Sequence, residues 1–152
     1  MSSVSIYLTA DNAALKASLR GLMALHASGY ARTKNDIGVY MVAQIKDRFK
    51  QQKLWDGKAM LQSKAAAKRS GKTLLHRGHL RDRYTYAVTD KGVELTGGIE
   101  YAAIHHFGGM AGRGRKVRIA ARPVLGVSPD NLKTIGSLLV QAITAHVGAR
   151  GI

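Results

Sequence analysis

Cysteine is absent from this 152-residue chain, so neither a disulfide scaffold nor a thiolate metal site can be built from it. Aromatic residues make up only 6%, which leaves the core to aliphatic side chains and alanine. No run of about 18 apolar residues occurs, so no helical membrane span is expected. The opening stretch MSSVSIYLTADNAALKASLRG lacks a basic segment followed by an apolar one, so no signal peptide is expected and the compartment should be reducing and cytoplasm-like. Acidic residues are scarce: nine stand against 24 Lys and Arg, a formal net charge of +15. A surface of that sign attracts polyanions, whether nucleic acid or the acidic faces of proteins.

What is present points to a folded chain. Hydrophobic residues reach 45%, enough to drive burial, and the length suits a single domain over 1–152. The basic excess is uneven. Lys46 to Arg83 holds twelve Lys or Arg against three acids, Asp47, Asp56 and Asp82, and a second cluster follows at Arg113, Arg115, Lys116 and Arg118.

Val4, Ile6 and Leu8 alternate with polar residues and predict a first strand. Asp11 then caps a helix whose apolar face is Leu15, Leu19, Leu22 and His26, reinforced by Met23, with Gly29 as its stop. Thr33 predicts the cap of a second helix, with Asp36 in its first turn. Ile37, Met41, Ile45 and Phe49 recur every four residues along it to about Lys53. Residues 54–76 lack such a period and read as an extended, mobile excursion with a short helix near Ser63–Arg69. Loops this long tend to be functional or to order on a partner.

Gly78 to Asp82 predicts one helical turn. Arg83–Thr89 and Val93–Ile99 predict a hairpin turning at Asp90-Lys91-Gly92. Glu100–Phe107 reads as a short helix stopped by Gly108. Ser128-Pro129-Asp130 starts the last helix, whose inner face is Ile135, Leu138, Leu139, Ala142, Ile143 and Val147. The fold class is therefore α+β: a small antiparallel sheet, two long N-terminal helices and a C-terminal helix packed on it, and long basic loops at 54–76 and 108–118.

Catalytic signals are weak. His105 and His106 are adjacent, so on a helix they diverge by about 100° and cannot readily share a metal. His76 and His79 have i,i+3 spacing, but only Asp82 lies nearby to complete a site. No paired carboxylates, no Gly-x-Ser-x-Gly elbow and no Walker spacing occur. The glycines from Gly108 to Gly114 read as a hairpin tip rather than a phosphate cradle. No enzymatic activity, cofactor or metal is expected.

Tyr101-Ala102-x-Ile104-His105-x-Phe107-Gly108-Gly109, followed by Ile119-Ala120-Ala121-Arg122-Pro123-Val124-Leu125-Gly126-Val127-Ser128, resembles the phage virion morphogenesis family, the tail completion family of Mu-like and related tailed phages. Upstream, Leu74-Leu75-x-x-Gly78-x-Leu80-Arg81-Asp82 is similar to that family's leucine and glycine-x-leucine-arginine element, and Trp55 stands where its members often carry tryptophan. The likeness covers roughly Trp55 to Ile135. Val124 departs from a common phenylalanine and His106 from a common glutamine. The resemblance implies a virion protein at the head-proximal end of the tail or the head–tail connector, acting in tail completion, tail termination or head–tail joining. It implies assembly in the host cytoplasm, no membrane, and a ring of about six copies that contacts tail-tube and connector proteins and possible genomic DNA in its channel.

Site residues follow from both readings. Trp55, Tyr101, Phe107, Arg122 and Pro123 are candidates for a subunit or partner interface. Tyr101, Ile104 and Phe107 also share a helical face that core packing would explain, and Arg122 could instead form a surface ion pair. Lys64, Lys68, Arg69 and Lys72, then Arg113, Arg115 and Lys116, are candidates for a polyanion- or DNA-facing surface, or simply a solvated one. A stand-alone basic nucleic-acid-binding protein is the alternative. Such proteins usually interleave aromatics with basic residues, and only Trp55 borders the basic excursion.

Overall fold

The structure is a computed structural model and describes residues 3–4, 23, 27, 30–98 and 100–148. Within them the order is β1 (Ser3–Val4), α1 (Tyr30–Gln51), α2 (Lys64–Lys68), α3 (His79–Asp82), β2 (Tyr84–Thr89), β3 (Gly92–Gly97), α4 (Ala102–Phe107), β4 (Gly109–Ala111), a 3-10 turn (Arg113–Arg115), β5 (Val117–Ile119) and α5 (Pro129–Gly148). This is the α+β class expected. The antiparallel sheet has the order β1-β3-β2, and a separate two-stranded ribbon joins β4 to β5. The first predicted strand is described only at Ser3–Val4, paired with Glu94 and Val93. The first of the two long N-terminal helices lies outside the described residues except at Met23 and Ala27. Both are helical, and Met23 is exposed rather than on a buried face.

Helix α1 is the spine. Its four-residue repeat places Met41, Ile45 and Phe49 in the core, with Ile37 half-buried above them. Each fully buried side chain of this size contributes about 1.5–3 kcal/mol. The helix begins at or before Tyr30, so Thr33 is no cap: it is buried within the helix. Lys34 is also buried, and its Nζ donates to the carbonyls of Thr89 (2.8 Å) and Asp90 (3.1 Å). The ammonium thus fastens α1 to the hairpin turn.

The hairpin pairs Tyr86 with Leu95 and Val88 with Val93, so the alternating apolar side chains of both strands share one face. Its turn has two residues, Asp90 and Lys91, with Gly92 already in β3. Tyr84 packs against Phe49 with ring centroids 5.7 Å apart, and burial pushes its phenol up to about 12. Ile99 lies outside the described residues.

The excursion over 54–76 differs from the mobile loop expected. Short helix α2 forms where predicted, with Ser63 Oγ accepting from the Ala66 amide. Around it the chain is tied down by contacts distant in sequence, which no periodicity can reveal. The Thr73 amide donates to Gln52 Oε1 at 2.7 Å, Gln52 Nε2 donates to the Thr73 carbonyl, and Thr73 Oγ1 accepts from the Ser63 amide. Met60, Ala66 and Thr73 are buried. The 108–118 segment is likewise not an open loop but the β4–β5 ribbon, paired from Gly109 with Ile119 to Ala111 with Val117.

Candidate functional site

The segment after the ribbon is seated by two arginines. Arg48 of α1 is buried, and among the described residues it pairs with no carboxylate. Its Nη1 donates to the carbonyls of Val124 (2.5 Å) and Gly126 (2.8 Å), and its Nη2 to Asn131 Oδ1 (2.6 Å). Burial lowers its pKa, and Tyr40 opposes that shift. Asn131 completes the knot. Its Oδ1 accepts from the Ser128 amide while its own amide donates to Ser128 Oγ, a reciprocal capping box with asparagine at the third helical position. Its Nδ2 donates to Tyr40 and Gln44. Ser128 and Pro129 were legible as a helix start. Arg48 and Asn131 were not singled out, although Ser-x-x-Asn was a usable signal for the second.

The other arginine is Arg122. Its amide donates to the His105 carbonyl at 2.7 Å, Nε to Leu61 (2.8 Å) and Nη1 to Ala120 (3.3 Å). No ion pair forms at Arg122 among the described residues. Backbone carbonyls engage Nε and Nη1 of the buried guanidinium instead, so its side chain is turned toward its own chain. Trp55 and Pro123 are drawn together too. The Trp55 amide donates to the Pro123 carbonyl at 3.0 Å, and the half-buried indole lies so close to Gly126 that a Cβ there would meet it at 2.6 Å.

Tyr101 and Phe107 behave differently. Core packing does not hold for them: Phe107 is 73% exposed and Tyr101 44%. Helix α4 ends at Gly108, whose φ is 75° and where an added Cβ would come within 2.9 Å of the Ala121 amide nitrogen, so there is no room for a side chain. The chain turns there straight into the ribbon, where Met110 and Val117 are also exposed. Met110 lies opposite Arg118, and Val117 opposite Ala111, so each face of the ribbon carries one exposed apolar residue. The ribbon tip presents Arg113, Arg115 and Lys116, all exposed. Lys64 and Lys68 are exposed one turn apart on α2. Arg69 and Lys72 are partly engaged: Arg69 Nη2 donates to the Lys72 carbonyl and Lys72 Nζ to that of Lys50, each at 2.5 Å. The two basic sets therefore stand on separate elements. Among the described residues three ion pairs occur, Lys58–Asp56, Arg81–Asp82 and Lys133–Asp130, which leaves most of the cationic surface uncompensated.

His105 and His106 have shielded Nδ1 atoms without a hydrogen-bond partner, and no group of three or more metal-binding side chains occurs among the described residues. Burial lowers the pKa of both, and Arg122 adds to the effect at His105. A histidine whose folded pKa lies below its unfolded value of about 6.5 binds more protons when unfolded. Its stabilising contribution is complete above about pH 6.5 and is lost as pH falls through the folded value. The melting temperature is thus expected to drop between about pH 7.5 and 5.5, and to drop less in an H105Q/H106Q variant, as followed by circular dichroism. Equal drops in both proteins would remove these histidines from the explanation.

The phage virion morphogenesis family matches residues 10–144, and the chain belongs to that family. It is also similar to the Mu-like prophage FluMu G protein 2 of Haemophilus influenzae, with 68% identity over 31 residues. That match covers 20% of this chain, which spans only 22% of the length of that curated relative. No solved structure matches.

Proposed function

We propose that the protein is a non-enzymatic structural part of the virion that completes the tail at its head-proximal end as a ring of about six copies. The observation that carries this reading is the exposure of Phe107 at the end of α4 together with Met110 and Val117, one on each face of a ribbon of three-residue strands. A two-stranded ribbon is marginal alone in water and gains stability when another surface covers it. A projecting ribbon is also the kind of arm a head-to-tail ring contact uses, since such a contact joins two different patches. The exposed cations on α2 and the ribbon tip would then form a positive annulus, suited to DNA passing through a channel or to acidic faces of the tail tube and connector.

Light scattering on the purified protein, at low and high salt and with and without DNA, tests the proposal. A discrete multimer of about six subunits is expected to persist at high salt without DNA, and F107E/M110E is expected to reduce it to monomer. A wild-type monomer that binds DNA with affinity collapsing as salt rises would make the basic surface the function, as in a nucleic-acid-binding protein.

A further inference from the structure

A groove runs between the α2 excursion on one side and α4 with β5 on the other. Its cationic lining comes from elements far apart in sequence: Arg69 after α2, Arg77 before α3, and Arg122 after β5, with His76 and His79 between them. Among the described residues no carboxylate lines it. Two acids flank lining residues in sequence: exposed Glu100 precedes Tyr101, and Asp82, two positions after Leu80, is held by Arg81 at 2.7 Å, which keeps its carboxyl below the usual range. Arg69 is oriented in advance by the Lys72 carbonyl, Arg77 is exposed, and Arg122 is turned into its own chain by the Leu61 carbonyl and adds only its charge. A guanidinium fixed as that of Arg69 is loses little freedom when it binds a carboxylate.

The floor is apolar, made by Leu74, Leu80 and Ile119. That combination separates this groove from the lysine-rich face of α2. A phosphate backbone needs exposed cations and offers nothing to an aliphatic floor. Single-stranded nucleic acid needs stacking platforms. Here one exposed ring, Tyr101, stands at the rim, edge-on to His105 at 85°. A second copy of this chain is a poor source of carboxylates, with nine acids against 24 basic residues.

We infer that the groove is a docking slot for an extended segment of a different protein, in which acidic side chains alternate with aliphatic ones. The acids meet Arg69 and Arg77 while the aliphatic side chains cover Leu74, Leu80 and Ile119. This deepens the proposed role by assigning partner chemistry to one face, and it rests on that role only for the partner's being a protein.

The probe is a fluorescein-labelled octapeptide of alternating Glu and Leu, followed by fluorescence anisotropy at physiological salt. Its Gln–Leu counterpart and an unlabelled oligo-dT serve as competitors. Saturable binding is expected for Glu–Leu, with a loss of about tenfold or more in R69E/R77E. K64E/K68E is expected to stay within about twofold, because exposed lysines outside the slot contribute only weak screened attraction. Thermal melts establish that both variants fold, and the single variant R77E, at an exposed position, provides the same readout if the double variant does not. Absence of Glu–Leu binding, equal binding of Gln–Leu, or an affinity unchanged in R77E would each overturn the slot. Displacement by oligo-dT at lower concentration than by unlabelled Glu–Leu would overturn it in favour of nucleic acid. Light scattering on the same samples separates the two proposals: a multimer without peptide binding sinks the slot alone, and peptide binding by a monomer leaves the slot standing without the ring.

Discussion

Replacing Asn131 with alanine is expected to lower stability by about 3–4 kcal/mol and the melting temperature by roughly 10 °C. Two effects combine. The α5 cap loses the reciprocal bonds between Ser128 and Asn131, which are worth about 1 kcal/mol in typical helices. The larger effect falls on Arg48, whose Nη2 would lose its acceptor at a site where burial already disfavours the charge. Asn131→Asp discriminates between these causes. It keeps both acceptor roles and gives Arg48 an opposite charge, but it cannot donate to Tyr40 and Gln44. It should therefore lose markedly less than alanine in urea denaturation. If aspartate and alanine prove equally costly, the contacts to α1 through Nδ2 dominate and the Arg48 argument fails.

Gly38→Ala is the second large effect, and its sign runs against helix propensity. Gly38 lies within α1, where alanine would ordinarily stabilise by about 1 kcal/mol. The ring of Tyr86 occupies that space: a Cβ would meet Cδ2 at 2.1 Å and Cγ at 2.6 Å. Because Cγ sits at the base of the side chain, the whole ring must move, and its hydroxyl must give up its 2.6 Å bond to Asn35. Overpacking of about 3 kcal/mol then exceeds the propensity gain, for a net loss of about 2 kcal/mol. In G38A/Y86A the clash is gone and the loss should be less than the sum of the two single losses. Additive losses in that double-mutant cycle would refute the packing account.

The contrast between these sites and the rest shows what a linear sequence can carry. Ile37 to Phe49, the Tyr84 to Leu95 hairpin and the Ser128 cap were legible because each is written in local spacing or in one turn chemistry. The ordering of the 54–76 excursion was not, since Gln52 and Thr73 meet across 21 positions with no pattern between them. Gly38 gave no sign of its role, because a glycine within a helix looks the same whether or not a tyrosine ring lies on it. At the candidate surface Tyr101 and Phe107 were singled out as residues to weigh, and their helical spacing favoured burial. Only the sharp turn at Gly108, which sends the chain out into the ribbon, leaves them uncovered. Arg122 was conspicuous before proline and read as a surface ion pair or an interface residue; the carbonyls of Leu61 and Ala120, which its guanidinium meets within the chain, left no trace in local spacing.

The acceptors of Arg48 lie 76, 78 and 83 residues further along the chain. During synthesis at roughly 5–20 residues per second, α1 therefore emerges on the order of ten seconds before the groups that accept hydrogen bonds from its buried cation exist. Throughout that interval Met41, Ile45 and Phe49 have no α5 to rest on, so the nascent chain presents an apolar helix face that only release of the C-terminal segment can close. Truncation anywhere before Asn131 removes a structural keystone rather than a dispensable tail, and yield in the host depends on how that waiting helix is sheltered.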